Sequence, residues 1–334
     1  MTPSPYPLLF HPILKEKVWG GRRLERWGKS LPPGINVGES WELADLDTTS
    51  PSGGGGDAAH SLIANGPLEG RSIRDAMSLW GGSLLGAVSP GPHGSFPLLV
   101  KYLDARQNLS VQVHPSPSHA LAHPQSHLKT ESWYVLEAEP GAVIYKGIRA
   151  GVTRELFVRH VGEGTVANDL VSVPAIAGDC HTLPSGTCHA LGAGVLVAEI
   201  QTPSDTTFRV FDWGRTGREL HLAQALECID FGDAPGATHL RPGETEGRLA
   251  STPHFAIDER RIGPGTQVSI GSGELCMLLL LIAAPGAITW GRGATSTLSL
   301  SRGATCLVPA EIVRHVRFRT DAPTTILLVT PAGV

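Results

Sequence analysis

Gly178-Asp-Cys-His-Thr-Leu-Pro-Ser-Gly-Thr-Cys-His189 is the stretch on which the fold turns. It follows Gly-x5-Pro-x-Gly-x2-His without a miss, through Gly178, Pro184, Gly186 and His189. Such a pattern makes a tight turn that delivers a histidine onto the next strand. Upstream, Asn108-Leu-Ser-Val-Gln-Val-His-Pro115 reads as a strand, in which successive side chains point to opposite faces. Gln112 and His114 therefore project together, while Val111 and Val113 pack behind them. Lys129-Thr-Glu131 lies between the two stretches. Together the three read as a metal site.

Working outward, forty glycines and 26 prolines punctuate short apolar runs, a pattern of β-rich, turn-rich chains rather than helical bundles. A 334-residue chain with 41% hydrophobic residues has enough for two cores. The polar, Gly-rich run from Pro235 to Arg248 marks the boundary, giving a unit over 1–234 that carries the candidate metal site and a second β unit over 235–334. The net charge of −4 and pI near 6.4 leave no basic surplus, so nucleic acid is not an expected partner, although one phosphate could find a local basic pocket. Cys180, Cys188, Cys228, Cys276 and Cys306 lack the regular spacing of a disulfide framework and read as reduced thiols. Met1-Thr-Pro-Ser-Pro-Tyr-Pro has neither the basic start nor the apolar core of a signal peptide, and Cys276 to Ala284 is too short to span a bilayer. A cytoplasmic location without membrane contact is the expectation.

Several local elements are legible. Ser72 to Trp80 has helical spacing, with Ser72 as cap and Gly81-Gly82 as stop. Phe96 to Asp104 is a buried strand leading into the Gln112 strand, and Gly53 to Gly56 is a loop. Glu131 to Leu136, the turn Glu139-Pro-Gly141 and Ala142 to Lys146 read as a β-hairpin in which Glu131, Trp133 and Val135 share a face. Thr153 to Val161 and Glu219 to Ile229 are helical, and Leu191 to Gln201 and Thr206 to Val210 are strands. Trp19, Trp27 and Trp41 are expected in the core. His119, His123 and His127 are spaced four apart as on one helix face, but Pro117 and Pro124 oppose a continuous helix, so a solvated loop or lid is expected there rather than a second metal site.

The Gly-x5-Pro-x-Gly-x2-His pattern resembles the second signature of the cupin superfamily. Gln112-x-His114, the delayed Lys129-x-Glu131 followed by Trp133-Tyr-Val-Leu136, and Pro184-Ser-Gly-Thr-x-His-Ala190 together resemble type I mannose-6-phosphate isomerases in their compact bacterial form. Lys15 to Gly21 and Gly38 to Asp45 also recur in that family, and the resemblance runs well over residues 10 to 215. It implies a mainly β fold of two cupin-type jelly-roll β-barrels with a few short helices. Gly303-Ala-Thr-Cys-Leu-Val-Pro309 then looks like a degenerate second repeat, with Glu311 and Arg314 at the later glycine and histidine positions.

The resemblance implies one zinc ion per chain on Gln112, His114, Glu131 and His189, and a sugar phosphate substrate. Two imidazoles, a carboxylate and a neutral amide leave a divalent ion with charge to polarise sugar oxygens, and by residue type alone iron or manganese would also suit. The family reaction interconverts mannose 6-phosphate and fructose 6-phosphate by moving a proton between C1 and C2 through an enediol. It needs a base, a stabiliser of the enediolate and cations for the phosphate. Glu199 is the expected base. Arg209, in Ser204-Asp-Thr-Thr-Phe-Arg209, is expected beside the metal, and Ser110, Lys129, Arg209 and Arg215 are expected to contact substrate, Lys129 also serving catalysis. A monomer or weak homodimer is expected. Two other readings of the cupin pattern are a dioxygenase, which Gln112 fits poorly, and a carbohydrate-binding or regulatory protein without catalysis, for which a ligand or Arg209 should be missing.

Overall fold

Val195–Gln201 shows why the molecule has its layered form. All seven residues are buried, yet their alternation persists: Leu196, Ala198 and Ile200 join one core, whereas Val195 and Val197 join another. A strand covered on both faces lies in an inner layer. In the computed structural model, which describes residues 2–47, 59–271, 273–291 and 296–332, this strand sits mid-way in a seven-stranded sheet. The loop expected at Gly53 to Gly56 lies outside the described residues.

The sheet runs in the order Ala237–Thr238, Cys180–Leu183, Glu131–Ala138, Val195–Gln201, Leu99–Ala105, Val37–Leu43 and Ile13–Gly21. Facing it across the second core is a five-stranded sheet: Leu170–Pro174, Val143–Ile148, His189–Leu191, Val111–Val113 and Phe208–Phe211. Towards the C-terminus a six-stranded and a four-stranded sheet enclose a core of Ile262, Leu279, Leu281, Ile288 and Phe318. The outer face of the six-stranded sheet, with Leu278, Leu280 and Val329, packs against the Leu196 face of the seven-stranded one. Truncating a residue such as Leu196 in that shared layer should cost about 2–5 kcal/mol.

The mainly β class is therefore as expected, but among the described residues each pair of sheets faces its partner without closing into one hydrogen-bonded barrel. Among the described residues, strand pairing also crosses position 234/235. Leu8–Leu9 pairs with Thr305–Val308, and Ala237–Thr238 pairs with Cys180–Leu183. The hairpin expected over Glu131 to Lys146 is not one: Glu131–Ala138 pairs with Cys180–Leu183 and Val195–Gln201, and Val143–Ile148 pairs with Leu170–Pro174 and His189–Leu191. The turn at Gly141 instead carries the chain from one sheet to the other, because partners distant in sequence cover both strands better than they cover each other.

Helices fall near their expected places. Ile73–Trp80 has a capping box between Ser72 and Asp75, Arg154–Glu163 is capped by Thr153, and Leu222–Cys228 is shorter than its pattern suggested. Within the expected loop, Pro117–Ala122 forms a short helix, Pro117 occupying the first turn where its missing amide costs nothing and His123 ending it before Pro124. Trp19, Trp27 and Trp41 are buried, and all five cysteines are buried and free. Arg314 is exposed and bonded to Glu274 at 2.8 Å. No described helix is long and apolar enough to cross a membrane.

Candidate functional site

The Pro184 turn closes as its sequence demands: Thr187 N donates to Pro184 O, and Gly186, at φ +92°, donates its amide to His114 O at 3.3 Å. A Cβ at Gly186 would sit 2.9 Å from Cys228 O in a left-handed conformation, so glycine is required there. The turn thus joins the end of the Val111–Val113 strand and sets His189 opposite Gln112 in the ladder. From the facing sheet, Glu131 completes the group.

His114 Nε2 lies 3.3 Å from Glu131 Oε2, and His189 Nε2 lies 3.2 Å from Glu131 Oε1. All three residues are at most 1% exposed. Each imidazole turns Nδ1 to a backbone carbonyl, His114 to Thr206 O at 2.9 Å and His189 to Thr187 O at 2.8 Å, so both Nε2 atoms are left as lone-pair donors aimed inward. Burial, then Lys129, pushes the His114 imidazole down to about 3, so it stays neutral and ligand-ready. Burial alone would raise Glu131, but Lys129 and then His114 outweigh it and hold the carboxyl well below its ordinary range. His114 Nε2 and Glu131 Oε1 are buried with no hydrogen bond, and Glu131 Oε2 meets only the Lys129 ammonium, 2.7 Å away. The two unbonded atoms, converging with His189 Nε2 within reach of one another, fit a divalent ion, which would satisfy them together. Gln112 presents its amide nitrogen to His189 Nε2 at 3.4 Å while Oε1 accepts from Ser110 Oγ at 3.2 Å; a half-turn of the amide brings its oxygen to the ligand position.

Glu199 projects beside this group, paired across strands with Trp133 and Lys101. Trp133 Nε1 donates to Oε2 at 3.1 Å, while Oε1 has no hydrogen bond and faces Lys101 Nζ at 3.6 Å and Lys129 Nζ at 3.8 Å. Burial, then the charge of Glu131, raises the Glu199 carboxyl above its ordinary value. Lys129 is buried, with Nζ 2.7 Å from Glu131 Oε2 in an ion pair.

Above these groups opens a cleft lined by five cations, Lys17, Lys101, Lys129, Arg209 and Arg218, and three carboxylates, Glu39, Glu199 and Asp205, together with Ser110 and Gln112. Arg209 pairs with Gln112 across strands; its Nη1 donates to Glu219 O at 2.8 Å and its Nε is buried without a partner. Of the expected site residues, the structure therefore brings together Gln112, His114, Glu131, His189, Ser110, Lys129, Glu199 and Arg209. Arg215 is not among the cleft-lining residues and bonds to Asp212 at 2.7 Å, while Arg218, also held by Asp212, does line the cleft.

Sequence reading missed Lys17, Lys101, Glu39, Asp205 and Arg218. Lys101 had a signal: in Leu98-Leu-Val-Lys-Tyr-Leu103 it is a lone cation at an inward position of a buried strand. Its Nζ reaches Asp205 at 3.6 Å and Glu39 at 3.9 Å and sits 4.7 Å above the Trp41 ring. Burial raises the Glu39 carboxyl, but Lys17 and Lys101 outweigh it and bring it to about 2.

Comparison with known proteins places this geometry. Residues 9–144 match the family described as phosphomannose isomerase type I, catalytic domain. The chain is 33% identical to a mannose-6-phosphate isomerase of Streptococcus mutans over 85% of its own length and 87% of that protein. The chain belongs to the type I phosphomannose isomerase family. The crystal structure of the mannose 6-phosphate isomerase from Bacillus subtilis matches with a TM-score of 0.80 at 28% identity, over 97% of this chain and 99% of that one. A mannose 6-phosphate isomerase solved with zinc and yttrium shares the fold, with a TM-score of 0.70 at 17% identity over 97% and 99% of the two chains.

Proposed function

We infer that this chain interconverts mannose 6-phosphate and fructose 6-phosphate with a zinc ion held by Gln112, His114, Glu131 and His189, and with Glu199 moving the proton between C1 and C2. The observation that carries the reading is the set of unbonded buried donors on His114, Glu131 and Glu199, of which Glu199 lines a cation-rich cleft together with Gln112 and Lys129.

A zinc ion on these ligands would supply Lewis acidity toward sugar oxygens. Zinc bound to a protein of the same fold supports that choice of metal. The remaining work belongs to side chains. Arg218 and Lys17, the most exposed cations of the cleft, supply charge for the phosphate, and the free Nε of Arg209 is a donor for a developing sugar oxyanion. Glu199 keeps one oxygen fixed by Trp133, so the other meets the substrate in a defined orientation. A carboxyl raised by burial is a stronger base than an exposed one, which suits it to take a carbon-bound proton and return it. Lys101 and Lys129, on either side of Glu199 Oε1, stabilise its ionised form between turnovers.

The test is to assay purified protein for mannose 6-phosphate to fructose 6-phosphate conversion before chelation, after it, and after return of zinc, iron or manganese. Loss on chelation with restoration by zinc is expected. Full turnover in protein shown to be metal-free would overturn the assignment, and restoration by iron alone would replace zinc.

A further inference from the structure

We propose that His119, His123 and Glu227 form a second divalent transition-metal site, separate from the catalytic one, that clamps together the two short helices Pro117–Ala122 and Leu222–Cys228. Pro124 stops the helix Pro117–Ala122, but only after its last turn has closed, since His123 N still donates to His119 O at 2.9 Å. The two imidazoles therefore keep the one-turn spacing by which a helix offers two ligands on one face. Their ring centroids are 4.3 Å apart at 33°.

The carboxylate comes from the helix Leu222–Cys228. Glu227 Oε2 lies 3.0 Å from His119 Nδ1 and 3.9 Å from His123 Nε2, and one ligand atom from each residue lies within 4.8 Å of the others. Bonds of roughly 2.0–2.1 Å in a tetrahedron put neighbouring donors about 3.3 Å apart. The buried donors of His114, Glu131 and His189 already meet that spacing at 3.2–3.3 Å. The outer trio is slightly looser, and its two more exposed members, His123 and Glu227, have room to close by rotation about their side-chain bonds. Among the described residues Glu227 forms ion pairs with these two imidazoles and with no lysine or arginine, so no fixed cation competes for it.

Two imidazoles and one carboxylate favour zinc, cobalt, nickel or copper over magnesium and calcium, which prefer all-oxygen sets. With three protein ligands and open solvent, the remaining positions would hold water. The location gives the ion a structural consequence. His119 is one short segment beyond His114, and the Glu227 helix follows His221, whose Nδ1 accepts from Arg209 N at 3.2 Å. Ser116, whose Oγ caps the first helix at His119 N, also contacts Cys228 at the end of the second. An ion at this point would tie the segment carrying one proposed catalytic ligand to the segment supporting Arg209.

The test is equilibrium dialysis of the full chain against zinc chloride, and separately cobalt chloride, at low micromolar concentration, with bound metal counted by mass spectrometry. His123→Ala and Glu227→Gln alter exposed side chains outside the catalytic cleft. Each is expected to bind one ion fewer per chain than the parent at unchanged kcat, and to lose the part of the thermal shift that excess zinc gives the parent. Because the readout is a difference, it stands whichever metal serves catalysis. Equal counts in parent and both variants would overturn the proposal, as would an equal second equivalent of magnesium, which would deny imidazole ligation.

Discussion

Lys129 Nζ stands 2.7 Å from Glu131 Oε2, so a proposed substrate contact and a proposed metal ligand form one buried ion pair. In metal-free protein the lysine is the cation nearest that carboxylate. Lys129→Met should therefore destabilise the metal-free form strongly, by about 3–5 kcal/mol as for other broken buried pairs, and the metal-loaded form much less, since the metal would then neutralise Glu131. Urea unfolding with and without zinc measures both; equal losses in the two states would show that Lys129 does not share Glu131 with a metal.

The ligand set predicts a ranking. His114→Ala and His189→Ala each remove one of two nitrogen donors and should abolish both turnover and zinc retention. Gln112→Ala removes a neutral carbonyl and should leave zinc bound more weakly with residual turnover. Metal content after dialysis, read beside activity, decides it, and a Gln112 loss as deep as the histidine losses would invert the ranking.

Arg218 and Arg215 offer an internal comparison, because both hold Asp212 but only Arg218 lines the cleft. Arg218→Ala should raise KM for mannose 6-phosphate by roughly 10–100-fold, the scale of a charge-assisted hydrogen bond of about 1.5–3 kcal/mol. Arg215→Ala should change KM much less. Steady-state kinetics of the pair checks this, and the opposite order would return the phosphate to Arg215.

How far the sequence carried depends on the range of the interaction. Gln112, His114 and His189 were legible because a strand alternates and the Gly186 turn has one way to close. The partners of Glu131–Ala138 and Val143–Ile148 were not, because a tight turn at Gly141 serves a hairpin and a crossing between sheets equally well. Arg215 was placed from resemblance, whereas the geometry of the segment after Phe211, with Trp213 at φ +57° and Asp212 gathering two arginines, puts Arg218 in the cleft. Likewise, the prolines excluded one continuous helix through His127 but concealed the short one at Pro117–Ala122, and they could not show Glu227 arriving from another helix.

Stability should depend on pH through buried histidines. Burial, followed by Lys129, pushes His114 down to about 3, and burial, followed by Lys146, pushes His181 down to about 4. Both lie below the unfolded value near 6.5, so the unfolded chain binds more protons between those limits. Their contribution is fully present above pH 6.5 and is lost as pH falls, at up to about 1.4 kcal/mol per pH unit for each group. Glu199, raised in the fold, opposes this where its own proton binds. Urea midpoints of metal-free protein should drop from pH 7 to pH 5, with a shallower drop in His181→Asn; a flat profile would mean that neither imidazole is held neutral by the fold.

The proton route gives the sharpest test of Glu199. Glu199→Gln keeps the shape and can still accept from Trp133, but it removes the basic oxygen. Losing general acid–base help of this kind typically costs about 10²-fold or more in kcat, while zinc content should stay near normal because Glu199 is not a proposed ligand. An enediol also lets the transferred hydrogen exchange with solvent. Turnover in D2O should therefore leave deuterium in the product, at a level set by how well the buried carboxyl is shielded between taking the proton and returning it. Absence of label alone would fit either a direct hydrogen shift between the carbons or complete shielding, and the variant separates these: shielding still requires the base, so kcat falls, whereas a direct shift leaves kcat largely intact. Normal turnover by Glu199→Gln would remove Glu199 as the base whatever the label shows, and Asp205 and Glu39, the other carboxylates of the cleft, would be the next to replace.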